Sequence, residues 1–194
     1  MKTLLLFRHS KPLPGPVPDA DRPLSPEGIA TAQAFFGREP FSGVSAVVAS
    51  PYRRAWETAQ LFGMPFTTDV RLAERRTGDT TGQDASFWKR QYDEPDFKNP
   101  DGESLREAGT RVAACAAGVL AQLPEGGSAA LFSHAGSICG FLMRFCTITV
   151  TDLQTKRRKI VFHGKTVLDG TLNAPSCFVV QVEGDAVVSV EYRE

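Results

Sequence analysis

The sequence predicts an α/β domain in three layers: a mostly parallel central sheet between helices, with antiparallel strands at one edge. Three observations carry this. Largely apolar runs at residues 4–7, 44–49 and 128–132 have the length of strands buried on both faces. Each is followed by a stretch with helical periodicity, the pattern of βα units joined by right-handed crossovers. The tail then changes character: residues 176–182 and 186–192 read as strands around Glu183-Gly184-Asp185, a hairpin that would add antiparallel strands at the sheet edge.

Taken in order, residues 4–7 form the first strand, which ends abruptly in Arg8-His9-Ser10-Lys11. Residues 12–23 contain five prolines and a glycine, so a constrained loop lies over that strand end. Ser25 is placed to cap a helix with Pro26 at its first position and Ile29, Ala32, Phe35 and Phe36 inward. The second strand, residues 44–49, ends in Ser50-Pro51 and leads to a helix that buries Ala55, Ala59, Leu61 and Phe62. A third short strand is expected at 66–70, followed by a loop carrying Glu74. Residues 83–101 are aromatic, charged and irregular, and are read as an insertion over the sheet edge that covers the site. Residues 103–123 have strong helical spacing, from Leu105 and Ala108 to Val119 and Leu123. Residues 128–132 form a strand that ends in Ser133-His134-Ala135-Gly136, before a buried helix at 138–145. The run Lys156-Arg157-Arg158-Lys159 is read as a solvated edge that discourages sheet pairing, and His163 as an exposed edge position.

At 194 residues the chain suits one domain, residues 1–194, with a sizeable core. Lys+Arg and Asp+Glu are equal at 22 each, so no global field draws nucleic acid or an anionic membrane, and neither is expected as a partner. Cys115, Cys139, Cys146 and Cys177 form no CxxC pair and no zinc-like spacing; they read as small buried hydrophobes. With no signal-like or membrane-spanning stretch, a cytoplasmic setting is expected. The C-terminal edge hairpin leaves a homodimer open.

Two strands end alike, in Phe7-Arg8-His9 and Phe132-Ser133-His134, and a third ends next to Arg54 on the following helix. If these strands are parallel neighbours, two guanidiniums and two imidazoles meet where open α/β sheets bind ligands. Arginines match phosphate oxygens geometrically and stay charged. Arg8, Arg54 and His134 can neutralise a phosphoryl group without a metal or other cofactor. A neutral His9 can attack phosphorus: nearby arginines lower its pKa, and a carbonyl accepting from one ring nitrogen leaves the other lone pair free. Glu74 is the candidate acid, because a carboxyl group beside a phosphate dianion is easier to protonate. Arg53 competes with Arg54, since the two project about 100° apart on a helix.

The motifs Leu6-Phe7-Arg8-His9-Ser10, Asp21-Arg22-Pro23-Leu24-Ser25, Ser50-Pro51-Tyr52-Arg53-Arg54-Ala55, Leu72-Ala73-Glu74, Asp101-Gly102-Glu103-Ser104 and Ser133-His134-Ala135-Gly136 resemble, in order, those of the histidine phosphatase superfamily, phosphoglycerate-mutase-like branch 1. The resemblance implies a phosphoglycerate-mutase-like fold and a small phosphorylated substrate. It also implies His9 as phosphorylated nucleophile, Arg8, Arg54 and His134 as phosphate clamp, and Glu74 as proton donor. Arg54 is favoured over Arg53 because it precedes the alanine of the Arg-Ala-x-x-Thr-Ala pattern. Ser10 stands where the family usually has glycine, and its hydroxyl is a candidate phosphate contact. Lys11 and Trp88 are candidates for the substrate rim. Gly15-Pro16-Val17-Pro18 replaces the Trp-Asn pair of the sugar-phosphate mutases, which favours hydrolysis. A mutase and a non-catalytic phospholigand-binding or adaptor protein stay open as alternatives.

Overall fold

The computed structural model describes residues 1–38, 41 and 43–194. Strand β1 (Lys2–Arg8) runs through the middle of the main sheet and sends Leu4 and Leu6 to one face, Leu5 and Phe7 to the other. After it come α1 (Pro26–Arg38), β2 (Val44–Ala49), α2 (Arg53–Phe62) and the two-residue β3 (Thr67–Thr68). Next are α3 (Phe87–Asp93), α4 (Leu105–Gln122), β4 (Ser128–Ser133) and α5 (Ala135–Leu142). The chain finishes with five strands: β5 (Thr147–Asp152), β6 (Arg157–Phe162), β7 (Lys165–Gly170), β8 (Ser176–Glu183) and β9 (Ala186–Arg193).

The main sheet has six strands in the order β3-β2-β4-β1-β8-β9. β4 lies between β1 and β2 and pairs with both in parallel, so the ends of these three strands are adjacent. β8 and β9 add the antiparallel edge expected from sequence. One face of the sheet is closed by α1 and α2 over a phenylalanine cluster in which Phe7 and Phe132 stack at 4.7 Å. The other face is closed by α4 and α5 over Leu4, Leu6, Leu131, Phe178 and Val180.

Three features depart from the sequence reading. β5, β6 and β7 form a separate three-stranded antiparallel sheet, although only residues 160–162 of it were expected as strand. The 83–101 segment, read as irregular, contains a helix, α3, which packs against β5. The basic run is not uniformly solvated. β6 alternates, so Arg157 and Lys159 face out while Arg158 falls in phase with Ile160 and Phe162 and is buried.

α4 begins with a full capping box: Ser104 accepts from the Glu107 backbone N–H, and the Glu107 carboxylate accepts from that of Ser104. It crosses α5 at a glycine contact. A Cβ on Gly109 would stand 2.1 Å from the carbonyl oxygen of Gly140, and one on Gly140 would stand 2.3 Å from that of Leu105. Close backbone approach therefore sets the seat of α5, the helix that begins just after His134. Gly109→Ala is expected to destabilise the fold by roughly 1–3 kcal/mol through overpacking. Equilibrium urea unfolding measures it; an unchanged midpoint would mean that the crossing tolerates a methyl group.

Candidate active site

Each strand end delivers one part of a single cluster. The His9 backbone N–H donates to the Ser133 carbonyl at 3.0 Å, and that of Ser50 donates to the Phe132 carbonyl at 2.8 Å. These bonds carry the sheet register one residue beyond the strands. His9 and His134 are buried with ring centroids 5.0 Å apart. Arg54, on the first turn of α2, is only 2% exposed, whereas Arg53 points to solvent and pairs with Glu57 at 2.8 Å.

Arg54 Nε donates to His9 Nε2 at 3.0 Å. A guanidinium nitrogen has no acceptor capacity, so Nε2 must be bare and Nδ1 must carry the proton. Nδ1–H then donates to the Ser10 carbonyl at 2.6 Å. Burial, followed by the charges of Arg54 and Arg8, holds the pKa of His9 well below its ordinary value of 6.5. His134 is pushed down in the same direction by burial, then by His9 and Arg54. Its Nε2 lies 2.7 Å from Ser50 Oγ, which also accepts the Tyr52 N–H at 3.2 Å. The hydroxyl has one proton and a second lone pair, so it serves either tautomer of His134; Nδ1 is the ring nitrogen that faces away from Ser50. That nitrogen and Arg8 Nε are buried without a hydrogen-bond partner among the described residues. Arg8 Nη1 donates to the Leu172 carbonyl, and burial followed by the charge of Arg158 lowers the Arg8 pKa.

Glu74 follows a short 3-10 turn, Val70–Leu72, and sits at the N-terminus of α5. Its carboxylate accepts from the backbone N–H groups of Arg75 at 2.8 Å and Ser137 at 3.1 Å. A Cβ on Gly136 would come 2.8 Å from Glu74 Oε1, so any other residue there would displace the carboxylate from this position. Arg111 pins this loop from α4: it pairs with Glu103 at 2.7 Å and donates to the carbonyls of Arg71 and Ala73. Glu74 also lines a cleft of about 180 Å3 shared with Phe87, Trp88 and Tyr92.

The fold thus brings together Arg8, His9, Arg54 and His134, sets Glu74 at the N-terminal turn of the helix that follows His134, and puts Trp88 on the same cleft as Glu74. Two further candidates, Ser10 and Lys11, make contacts outside this cluster. The Ser10 hydroxyl donates to the Gly28 carbonyl of α1 at 2.7 Å. Its own N–H donates to Thr58 Oγ1 at 3.0 Å, so Ser10 ties the strand end to α1 and α2. Lys11 is exposed, with its ammonium group held by Glu27 at 2.6 Å.

Three contributors escape a reading from sequence. Ser50 orients His134; the strand-end position beside Pro51 was its one signal. Arg111 acts through a chain reversal that no local pattern reports. Asp19 lies in the proline-rich loop, where its carbonyl accepts from Arg54 Nη1 and its carboxylate pairs with Arg54 Nη2 at 3.0 Å. Burial raises the Asp19 pKa, but Arg54 and Arg22 outweigh that and hold it below the ordinary carboxylate value.

Strand ends and the first turn of α2 thus converge two arginines and two histidines, with a loop carboxylate against the N-terminus of the adjoining helix, an α/β site whose donors suit a tetrahedral oxyanion. Residues 4–166 match the model of the histidine phosphatase superfamily (branch 1), and the chain belongs to that family. It is 33% identical over 128 residues to a probable phosphoglycerate mutase GpmB of Citrobacter koseri and 31% identical to that of Salmonella arizonae. Each match covers 59% of this chain and 59% of the relative, so it spans about three fifths of those proteins. Among solved structures, mycobacterial glucosyl-3-phosphoglycerate phosphatase superposes with a TM-score of 0.71 at 20% identity, covering 98% of this chain and 95% of the other. A phosphoglycerate mutase of Thermus thermophilus superposes at 0.64 with 23% identity, covering 97% and 98%. At these identities the likeness is one of fold.

Two outcomes follow from the electrostatics. Both histidines are held neutral in the folded state but protonate near 6.5 when unfolded, so the unfolded chain binds more protons as pH falls. Stability of the ligand-free protein should therefore decline below about pH 6.5, with each histidine contributing up to about 1.4 kcal/mol per pH unit. Urea titrations at pH 7.5 and 5.5 on the wild type and His9→Asn read this slope; identical slopes in the two would count against it. Asp19 occupies the guanidinium edge of Arg54, so Asp19→Asn is expected to tighten inhibition by inorganic phosphate about three- to fivefold. Weaker inhibition would show that Asp19 holds Arg54 in its binding pose.

Proposed function

We propose that the chain is a phosphomonoesterase that hydrolyses a small phosphorylated metabolite through a phosphohistidine on His9, with no metal in the chemical step. The observation that carries this reading is the single tautomer of His9: Nδ1–H is held by the Ser10 carbonyl, and the Nε2 lone pair faces the Arg54 guanidinium. A phosphoryl group bound by Arg54 would meet that lone pair directly. Arg8 Nε, buried and unpartnered, would supply a further donor, and His134 Nδ1, likewise unpartnered, would supply another in the tautomer that carries its proton there.

In the first step Nε2 attacks phosphorus, the ester P–O bond breaks, and Glu74 gives its proton to the departing alkoxide. In the second, Glu74 takes a proton from water as the water oxygen displaces Nε2, releasing inorganic phosphate and restoring the imidazole. The guanidiniums neutralise the equatorial oxygens throughout. Four cysteines, all buried as thiols, suit a protein kept in the reducing cytoplasm. Among the described residues no helix is long and apolar enough to cross a membrane.

Phosphoglycerate mutases among the relatives favour a second reading, phosphoryl exchange between two positions of a sugar acid. Steady-state assays separate the two. Hydrolysis of p-nitrophenyl phosphate should persist in chelator and drop by at least about a thousandfold in His9→Ala, as for loss of a covalent nucleophile. Exchange of label between 2- and 3-phosphoglycerate that outpaces phosphate release would establish the mutase instead. Tight phosphate binding without any turnover would establish the adaptor.

A further inference from the structure

A guanidinium has five N–H donors, and in Arg111 all five are engaged within the protein. Nε and Nη2 grip the two carboxylate oxygens of Glu103 at 2.7 and 2.9 Å, in the two-bond geometry of a strong pair. Nη1 donates to the carbonyls of Arg71 at 2.6 Å and Ala73 at 2.8 Å. The other Nη2 hydrogen reaches Ser137 Oγ at 3.2 Å. No donor is left over for a ligand, so Arg111 acts on its own chain and not on a substrate.

What it holds is the frame around Glu74. The Ala73 carbonyl belongs to the peptide unit that leads into Glu74. Ser137, fully buried in the first turn of α5, donates its hydroxyl to that same carbonyl at 2.7 Å. Its backbone N–H donates to Glu74 Oε1 at 3.1 Å. The backbone and the carboxylate of Glu74 are thus each tied to a group that Arg111 itself grips. Glu103 precedes Ser104, the cap of α4, so one side chain fastens the Glu74 loop to the starts of α4 and α5 together.

We propose that Arg111 is a positioning residue for proton transfer: it fixes Glu74 where the carboxyl protonates the departing oxygen, and thereby sets how steeply the rate depends on the leaving group. The assignment rests on the phosphatase reading with Glu74 as the acid. In the step concerned the ester P–O bond breaks, its electron pair stays on the ester oxygen, and that oxygen takes the proton of Glu74. An alkoxide needs that proton, whereas p-nitrophenolate is a weak base and leaves without it. A misplacement of about 1 Å costs such a step about a hundredfold, within the range of about 10²–10⁴ that a general acid contributes.

The test compares benzyl phosphate, which releases an alkoxide, with p-nitrophenyl phosphate. The readout is kcat/KM, which ends at departure of the alcohol and so omits hydrolysis of the phosphohistidine. Arg111→Gln should lower kcat/KM for benzyl phosphate about 30-fold more than for p-nitrophenyl phosphate. Glu74→Gln should widen the same ratio, and the double variant should widen it no further, as for residues that act as one unit. Arg111→Lys keeps a charge for Glu103 without the five-donor fork; it should give an intermediate ratio and serves if the glutamine variant does not fold. Equal losses on both substrates in the Arg111 variants, or single effects that multiply in the double variant, would overturn the assignment and leave Arg111 a purely structural residue. A ratio unmoved by Glu74→Gln would overturn Glu74 as the acid, and the assignment with it. Failure of the wild type to hydrolyse p-nitrophenyl phosphate would instead overturn the phosphatase reading on which both rest.

Discussion

The hydrogen bond from Arg54 Nε to His9 Nε2 is the contact on which the surrounding geometry depends. It requires the imidazole to be neutral and to carry its single proton on Nδ1, where the Ser10 carbonyl holds it. A protonated ring would place a third cation against two arginines in a region closed to water. That is why β1 must present Arg8 and His9 together while α2 starts close enough for Arg54 to reach back. Ser10 and Thr58 enforce this spacing from beneath: Thr58 accepts the Ser10 N–H and donates to the Arg54 carbonyl.

Charge explains much of the rest. Arg8, Arg54 and Arg158 are inward-facing guanidiniums, and the carboxylates nearest them are few and differently placed. Asp19 satisfies Arg54 from a loop that is half open to solvent, so an entering anion competes for the same donors. Glu74 is engaged by the first N–H groups of α5, at the positive end of that helix. Arg8 and Arg158 have no carboxylate partner among the described residues. A site with excess buried positive charge and unpartnered nitrogen atoms is organised for a multiply charged guest.

The parts legible in sequence are those that depend on local pattern. Apolar runs ending in Arg8-His9, Ser50 and Ser133-His134 predicted both the parallel strands and the meeting of their ends, because strand continuity and strand-end chemistry are properties of adjacent residues. The family motifs pointed to Arg54 over Arg53, and the exposures of the two agree. Arg158 was misread because a basic run looks solvated until its phase with Ile160 and Phe162 is counted. Residues 147–152 alternate in the same manner, but the threonines hide a strand whose buried face is only Ile148 and Val150. Ser10, Lys11 and Asp19 lay beyond reach for another reason. Their partners, Gly28, Glu27 and Arg54, come from helices whose approach is decided by packing.

The central claim, that His9 forms a covalent phosphoryl intermediate, is tested most directly by rapid quench of the enzyme mixed with phosphate-labelled substrate. The account predicts a transient label on the peptide containing His9, stable in base and lost in acid, that forms and decays at rates consistent with turnover. Label that is absent while phosphate release proceeds, or that resides on another residue, would contradict it.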